Sequence, residues 1–255
     1  MKKVFCVILS LLMIVACFAG CSDNTTKPGG VVDVSGDNSD NKEIILSDNK
    51  IEEVEGEVET VAETSLGLDV ETYISGTYYL EGVFYGEGEA IPVQMATDGK
   101  SCHFTATYSG IALGLLVIDN ATYVVLPKTK QYTEISETLL NLLDLDNGLG
   151  VDDFQKIAAE GFSNTGSKMS QYAVTINGES GLCTVFTFEK SEFKLYSIGD
   201  KLIQLENYDA DGTMIMQIAV NSISSQIPAD QLTLNGLEKA SVTSFIQSFV
   251  ASAVV

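Results

Sequence analysis

The chain has 255 residues, with 35 Asp or Glu against 14 cations, all of them Lys, and a net charge of −21. Without Arg it lacks the planar fork that grips phosphates and base edges, and no basic stripe interrupts the acidic background. Nucleic acids and charge-driven contact with anionic membranes are therefore excluded as partners.

Residues 4–20 carry no charge and follow Lys2 and Lys3, but Ser10, Ala19 and Gly20 leave an apolar core of about 13 residues, short of the ~20 that a spanning helix needs. A basic start, an apolar middle and a small-residue end predict a signal peptide over residues 1–20. The stretch Phe18-Ala19-Gly20-Cys21 resembles a bacterial lipobox, with Phe18 where leucine is usual. The resemblance implies cleavage before Cys21 and acylation of that residue, palmitate included. It also implies a protein anchored by its lipid to the outward, extracytoplasmic side of the cell membrane. Two or three acyl chains, at about 0.8 kcal/mol per buried methylene, make such an anchor stable. Plain secretion with cleavage nearby is the alternative.

After Cys21 the composition changes. Residues 22–72 contain 14 Asp or Glu against 3 Lys, and their first half has no aromatic residue and almost no apolar periodicity. Such a segment buries too little surface to offset the entropy of ordering, so residues 21–70 read as an acidic flexible tether. Within it, IEEVEGEVETVAE spaces Ile51, Val54, Val58 and Val61 loosely at helical intervals, which predicts a frayed acidic helix.

Residues 71–255 are long enough for one domain with a substantial core. In YISGTYYLEGVFYG, the face Ile74, Gly76, Tyr78, Leu80, Gly82, Phe84 alternates with its neighbours, and its two glycines imply a bend or a close backbone approach. Further strands follow in EAIPVQMAT, KSCHFTATY, IALGLLVID, TYVVL and KQYTEI, separated by turn-forming pairs and too closely spaced for helices between them. The prediction is an antiparallel meander. SETLLNLLDLD and VDDFQKIAAEG read as two helices. The intervening DLDNGLGVDD fails as a calcium loop, because the glycine position is Leu149 and the twelfth is Gln155. Strands resume in SQYAVTI, LCTVFTFE, FKLYSI, KLIQLENYD and TMIMQIAVNSI. Asn235 with Glu238 then resembles a capping box opening a helix that carries Val242, Phe245, Ile246, Phe249, Val250 and Ala253 on one side. The fold class is α+β: a curved antiparallel sheet of two meanders, an incomplete β-barrel, with a helical insertion and a C-terminal helix.

This layout, with TYVVLPKTKQYTEI and NSISSQIPADQLTL as local matches, resembles the half-barrel of the lipoprotein-localisation proteins LolA and LolB and the related LppX and LprG lipoproteins. The long acidic tether and the C-terminal helix depart from that pattern. The resemblance covers about residues 73–236 and implies an apolar cavity between sheet and helices, able to hold acyl chains. Candidate lining residues are Tyr78, Leu80, Phe84, Met95, Phe104, Met214 and Met216, although stripes of Met and aromatic residues are more often ordinary core.

The sequence offers no catalytic, metal or cofactor set. His103 and Cys102 are adjacent in a strand and point to opposite faces, so they form no nucleophile–base pair, and His103 reads as a solvent-side residue. GESG is not a nucleophile elbow, and the DADG stretch with Asp209 and Asp211 reads as a hairpin tip. Cys102 and Cys183 remain in the mature chain as either one disulfide or two small buried hydrophobes. The expectation is a non-enzymatic, membrane-anchored lipoprotein that binds a lipid-like ligand. The alternative is a tethered interaction or structural module of the cell envelope.

Overall fold

A chain whose apolar side chains alternate over run after run buries one face of a sheet, and short turns between runs force neighbours to lie antiparallel. The computed structural model describes residues 47–54, 59–60, 66–86, 89–119, 121–136, 168–188, 191–208 and 211–252. The first meander comprises β3 (Thr77–Gly86), β4 (Glu89–Asp98), β5 (Cys102–Tyr108), β6 (Ile111–Ile118), β7 (Ala121–Leu126) and β8 (Gln131–Glu134). The second comprises β9 (Lys168–Ile176), β10 (Glu179–Phe188), β11 (Ser191–Ile198), β12 (Lys201–Tyr208) and β13 (Met214–Ser224). Three short strands, β1 (Ile51–Glu53), β2 (Glu59–Thr60) and β14 (Glu238–Lys239), trim the edges, and two α-helices, α1 (Leu68–Ile74) and α2 (Val242–Ser252), with a short 3-10 turn at Pro127–Thr129, complete the described elements.

Every strand pair is antiparallel except β14 on β8, and the order is β1-β9-β10-β11-β12-β13-β3-β4-β5-β6-β7-β8-β14, with β2 also on β9. The last strand of the second meander pairs with the first strand of the first, so two meanders make one curved, unclosed sheet. The α+β half-barrel read from the sequence is therefore the fold. The predicted helices SETLLNLLDLD and VDDFQKIAAEG lie outside the described residues, as do residues 1–46 with Cys21.

Three local expectations change. Ile51–Glu53, expected to be helical within the tether, is a strand paired with Val174–Ile176. The free backbone edge of β9 offers a hydrogen-bond ladder that a short acidic helix of marginal stability does not outcompete. Tyr73 and Ile74, expected to open a strand, instead end α1, which buries Val70 and Tyr73 against the sheet. The C-terminal helix begins at Val242, later than the Asn235 cap predicts, because Glu238 and Lys239 pair with the β8 edge. Ser241 is the cap in fact, its hydroxyl accepting the Ser244 amide at 3.2 Å. Phe245 is buried, with Val242, Ile246 and Phe249 packed beside it, while Val250 is exposed.

The seam between the meanders is tight. A Cβ on Gly82 would lie 2.5 Å from the Ala219 carbonyl oxygen and 2.9 Å from Ile218 Cγ2, next to a register shift between Val220 and Ser222. This is the close approach that glycine in YISGTYYLEGVFYG foreshadows. Gly82→Ala is expected to destabilise the protein by about 1–3 kcal/mol through overpacking, read as a lower urea midpoint at unchanged slope.

Candidate functional site

The concave face is built by the alternate residues of each strand. One cross-strand row runs Leu80, Met95, Phe104, Leu115, Val124, Thr133, and another begins with Tyr78, Thr97, Cys102, Val117. On the second meander a row runs Met169, Phe186, Phe193, Asn207, Met216. The apolar members join one cluster that spans both meanders, apart from Cys102 and Val117, which pack as their own pair. Helix α1 meets this cluster at β12, β13 and β3, with Tyr73 stacked on Tyr78 at 5.1 Å between ring centroids, and α2 meets it at β8.

Of the candidate lining residues, Tyr78, Leu80, Phe84, Met95, Phe104 and Met216 lie buried in this cluster. Met214 does not belong to it. The ladder shifts register between Asn207 and Tyr208, so Met214 stands opposite Tyr208 and loses the alternation that TMIMQIAVNSI suggests.

The opposite, outer face carries different chemistry. Between β3–β7 and the segment after β13 lies a cavity of about 560 Å³, its sheet side formed by residues including Glu81, Gln94, His103, Thr105, Leu116 and Val125, with Asp230, Gln231 and Asn235 facing them. Glu81 accepts hydrogen bonds from the Tyr79 hydroxyl at 2.8 Å and the Gln94 amide at 3.2 Å. A lining with two carboxylates, the Lys130 ammonium and an imidazole suits a small polar molecule, because an acyl chain would strip water from those groups without replacing its hydrogen bonds.

His103, expected at a solvent-side position, is largely covered here; its Nε2 lies 3.1 Å from Thr105 Oγ1, and its Nδ1 has no hydrogen-bond partner among the described residues. Its ring occupies space that a Cβ on Gly114 would invade at 2.7 Å. Burial lowers its pKa below the usual 6.5, against the raising effect of Gln231 and the Asp230 carboxylate. The sequence signal that could have found this was the small residue Gly114 on the neighbouring strand, facing the ring.

Further along the outer face, Glu206 is buried and accepts four hydrogen bonds from neutral donors: Tyr208 at 2.6 Å, Gln204 at 2.7 Å, Tyr196 at 2.9 Å and Gln217 at 3.1 Å. Those glutamines in turn hold the N-terminal segment. The Ser47 amide donates to Gln217 Oε1 at 2.7 Å, Asn49 donates to Gln204 Oε1 at 3.2 Å, and the Ser47 hydroxyl also bonds Gln204. Ser47 to Glu53 is thus fastened across the sheet and onto its edge, within the stretch that composition assigns to a tether.

Cys102 and Cys183 are both free and buried, in different clusters, and burial raises their thiols to about 12 and about 11. They act as small core residues. Among the described residues no group of three or more His, Cys, Asp or Glu is placed to hold a metal ion, and no helix is long and apolar enough to cross a membrane.

No family model and no curated protein matches the chain. Among solved structures it is similar to an uncharacterized conserved protein from Thermus thermophilus, with 9% identity, 62% of this chain and 90% of that one covered, and a TM-score of 0.35. It is also similar to a domain from Vibrio parahaemolyticus assigned to outer membrane lipoprotein sorting, with 10% identity, 66% and 96% covered, and a TM-score of 0.30. At these scores neither similarity bears on function.

Two measurements test this geometry. Glu206→Ala leaves three buried donors and the half-buried Tyr208 hydroxyl without their acceptor and is expected to cost about 2–4 kcal/mol; hydrogen exchange at Ser47–Glu53 should speed up more than exchange in β4–β6. Because the folded pKa of His103 is depressed, its neutral ring contributes fully above about pH 6.5, and that contribution falls as the unfolded chain takes up the proton at lower pH. The stability lost between pH 7.5 and pH 5.5, about two pH units around the unperturbed imidazole value, should therefore be smaller in His103→Gln than in the wild type.

Proposed function

We propose that this chain is a lipid-anchored protein of the outer side of the cell membrane that holds an apolar, lipid-like ligand against the concave face of its half-barrel. The observation that carries the reading is the continuity of that face: side chains from β3 to β7 and from β10 to β13 form one apolar cluster. Burying an acyl chain there removes apolar area from water at about 25 cal/mol per Å². The Phe18-Ala19-Gly20-Cys21 stretch supports the anchor, with Cys21 as the acylated residue. No reactive pair is part of this reading, and it is non-enzymatic.

A second reading is a tethered interaction or structural module of the envelope. What favours it is that the lining residues, Leu80, Phe104 and Met216 among them, are already buried at 0–3% exposure. In that case the same face is simply a filled core.

The two readings separate on extraction. Organic extraction of the full-length purified protein followed by mass spectrometry is expected to recover an acyl lipid in near-equimolar amount; recovery of none after expression in a bacterial envelope sinks the ligand reading. For the anchor, radiolabelled palmitate should enter the wild type in cells and fail to enter Cys21→Ser.

A further inference from the structure

The concave row Met169, Phe186, Phe193, Asn207, Met216 contains one polar member. Asn207 is 0% exposed, and among the described residues neither its amide nitrogen nor its amide oxygen has a hydrogen-bond partner. Its side chain shares the face of Leu205, and the residues paired with it are Phe193 on β11 and Met216 on β13, both in the apolar cluster. Asn is a poor strand former, so local propensity does not place it there. A buried amide with neither group satisfied is an exception among native proteins, where such groups find partners in the great majority of cases. Of the other buried polar side chains on this face, Thr184 receives the Gln171 amide at 2.8 Å, whereas Thr122 Oγ1, opposite Val117, also lacks a partner among the described residues; Asn207 differs in leaving both a donor and an acceptor group unmet.

Resting on the apolar-ligand reading above, we propose that Asn207 recognises the head of the ligand, and that the ligand is a neutral acyl lipid whose head both donates and accepts a hydrogen bond. An Asn side chain presents one acceptor oxygen and two N–H donors within a few ångströms. A hydroxyl beside an ester carbonyl, as in a monoacylglycerol, meets both at once, and the surrounding Phe193, Met216 and Phe186 take the acyl chain. A pure hydrocarbon would leave the amide unsatisfied, which makes Asn207 a specificity-determining residue.

The test uses tritiated 1-monopalmitoylglycerol and tritiated hexadecane, each delivered from cyclodextrin to the delipidated full-length protein. The wild type is expected to bind the glyceride at least about tenfold more tightly than the hydrocarbon, the gain from hydrogen bonds otherwise left unmade. In Asn207→Leu the glyceride should lose about that factor, hexadecane should bind no more weakly than before, and the ligand-free Tm should rise by about 2–4 °C as an unsatisfied amide is removed. Equal binding of the two probes by the wild type overturns the assignment while leaving an apolar-ligand site standing, and so does a glyceride preference that survives in Asn207→Leu. A fall in Tm in the variant also overturns it, because Asn207 would then have a structural partner. Binding of neither probe removes the apolar-ligand reading and this inference together.

Discussion

The pairing of β13 with β3 is the constraint on which the rest of the structure depends. It joins two locally formed meanders into one sheet, and only a sheet of that width curls enough to have an inside. The seam brings backbone so close that Gly82 has no room for a side chain, with Ala219 and Ile218 filling the space. From this contact follow the shared core, in which Leu80 and Phe84 of one meander meet Met216 and Ile218 of the other, and the docking of α1 across β12, β13 and β3.

The two faces of the sheet then divide the chemistry. The concave face is mainly apolar, with Thr97, Thr122, Thr133, Thr184 and Asn207 set among its Leu, Met and Phe residues, whose burial supplies the main driving force for folding. The outer face carries Glu206 and Glu81 with the glutamines Gln204 and Gln217, and there most hydrogen bonds are made: Glu206 has four donors and Glu81 has two within 3.2 Å. In a medium of low dielectric an incomplete network would cost more than it contributes, so a carboxylate there is tolerable only when nearly every lone pair is occupied. Against that background Asn207 differs: among the described residues neither of its amide groups has a partner.

The N-terminal segment gains a second role from this arrangement. Ser47, Asn49 and Lys50 are held by Gln217, Gln204 and Asn177, on the face opposite the apolar cluster. In the proposed lipid-anchored protein the connection to the membrane would therefore enter from the polar side, leaving the concave face independent of the anchor. The strand Ile51–Glu53 also covers part of the β9 edge, which would otherwise present unpaired backbone groups to other chains.

Alternation and turn chemistry made most of the strands readable in the sequence, because a period of two and a Gly or Asn between runs are local properties. The residues Tyr78, Leu80, Phe84, Met95, Phe104 and Met216 could be assigned to one face for the same reason. Met214 could not, since a register shift at Tyr208 depends on the partner strand and leaves no mark in TMIMQIAVNSI itself. Ile51–Glu53 became a strand, and Glu238–Lys239 a parallel edge pair, because distant strands offered them backbone partners; their own composition favoured neither. His103 under a loop, Glu206 inside four donors and Asn207 among Phe and Met are likewise facts of assembly. Periodicity tells which way a side chain points along its own strand, but burial and hydrogen-bond satisfaction depend on the register of the neighbouring strands, from Tyr196 and Gln217 beside Glu206 to the distant Ser47 on Gln217, and only the assembled sheet sets that register.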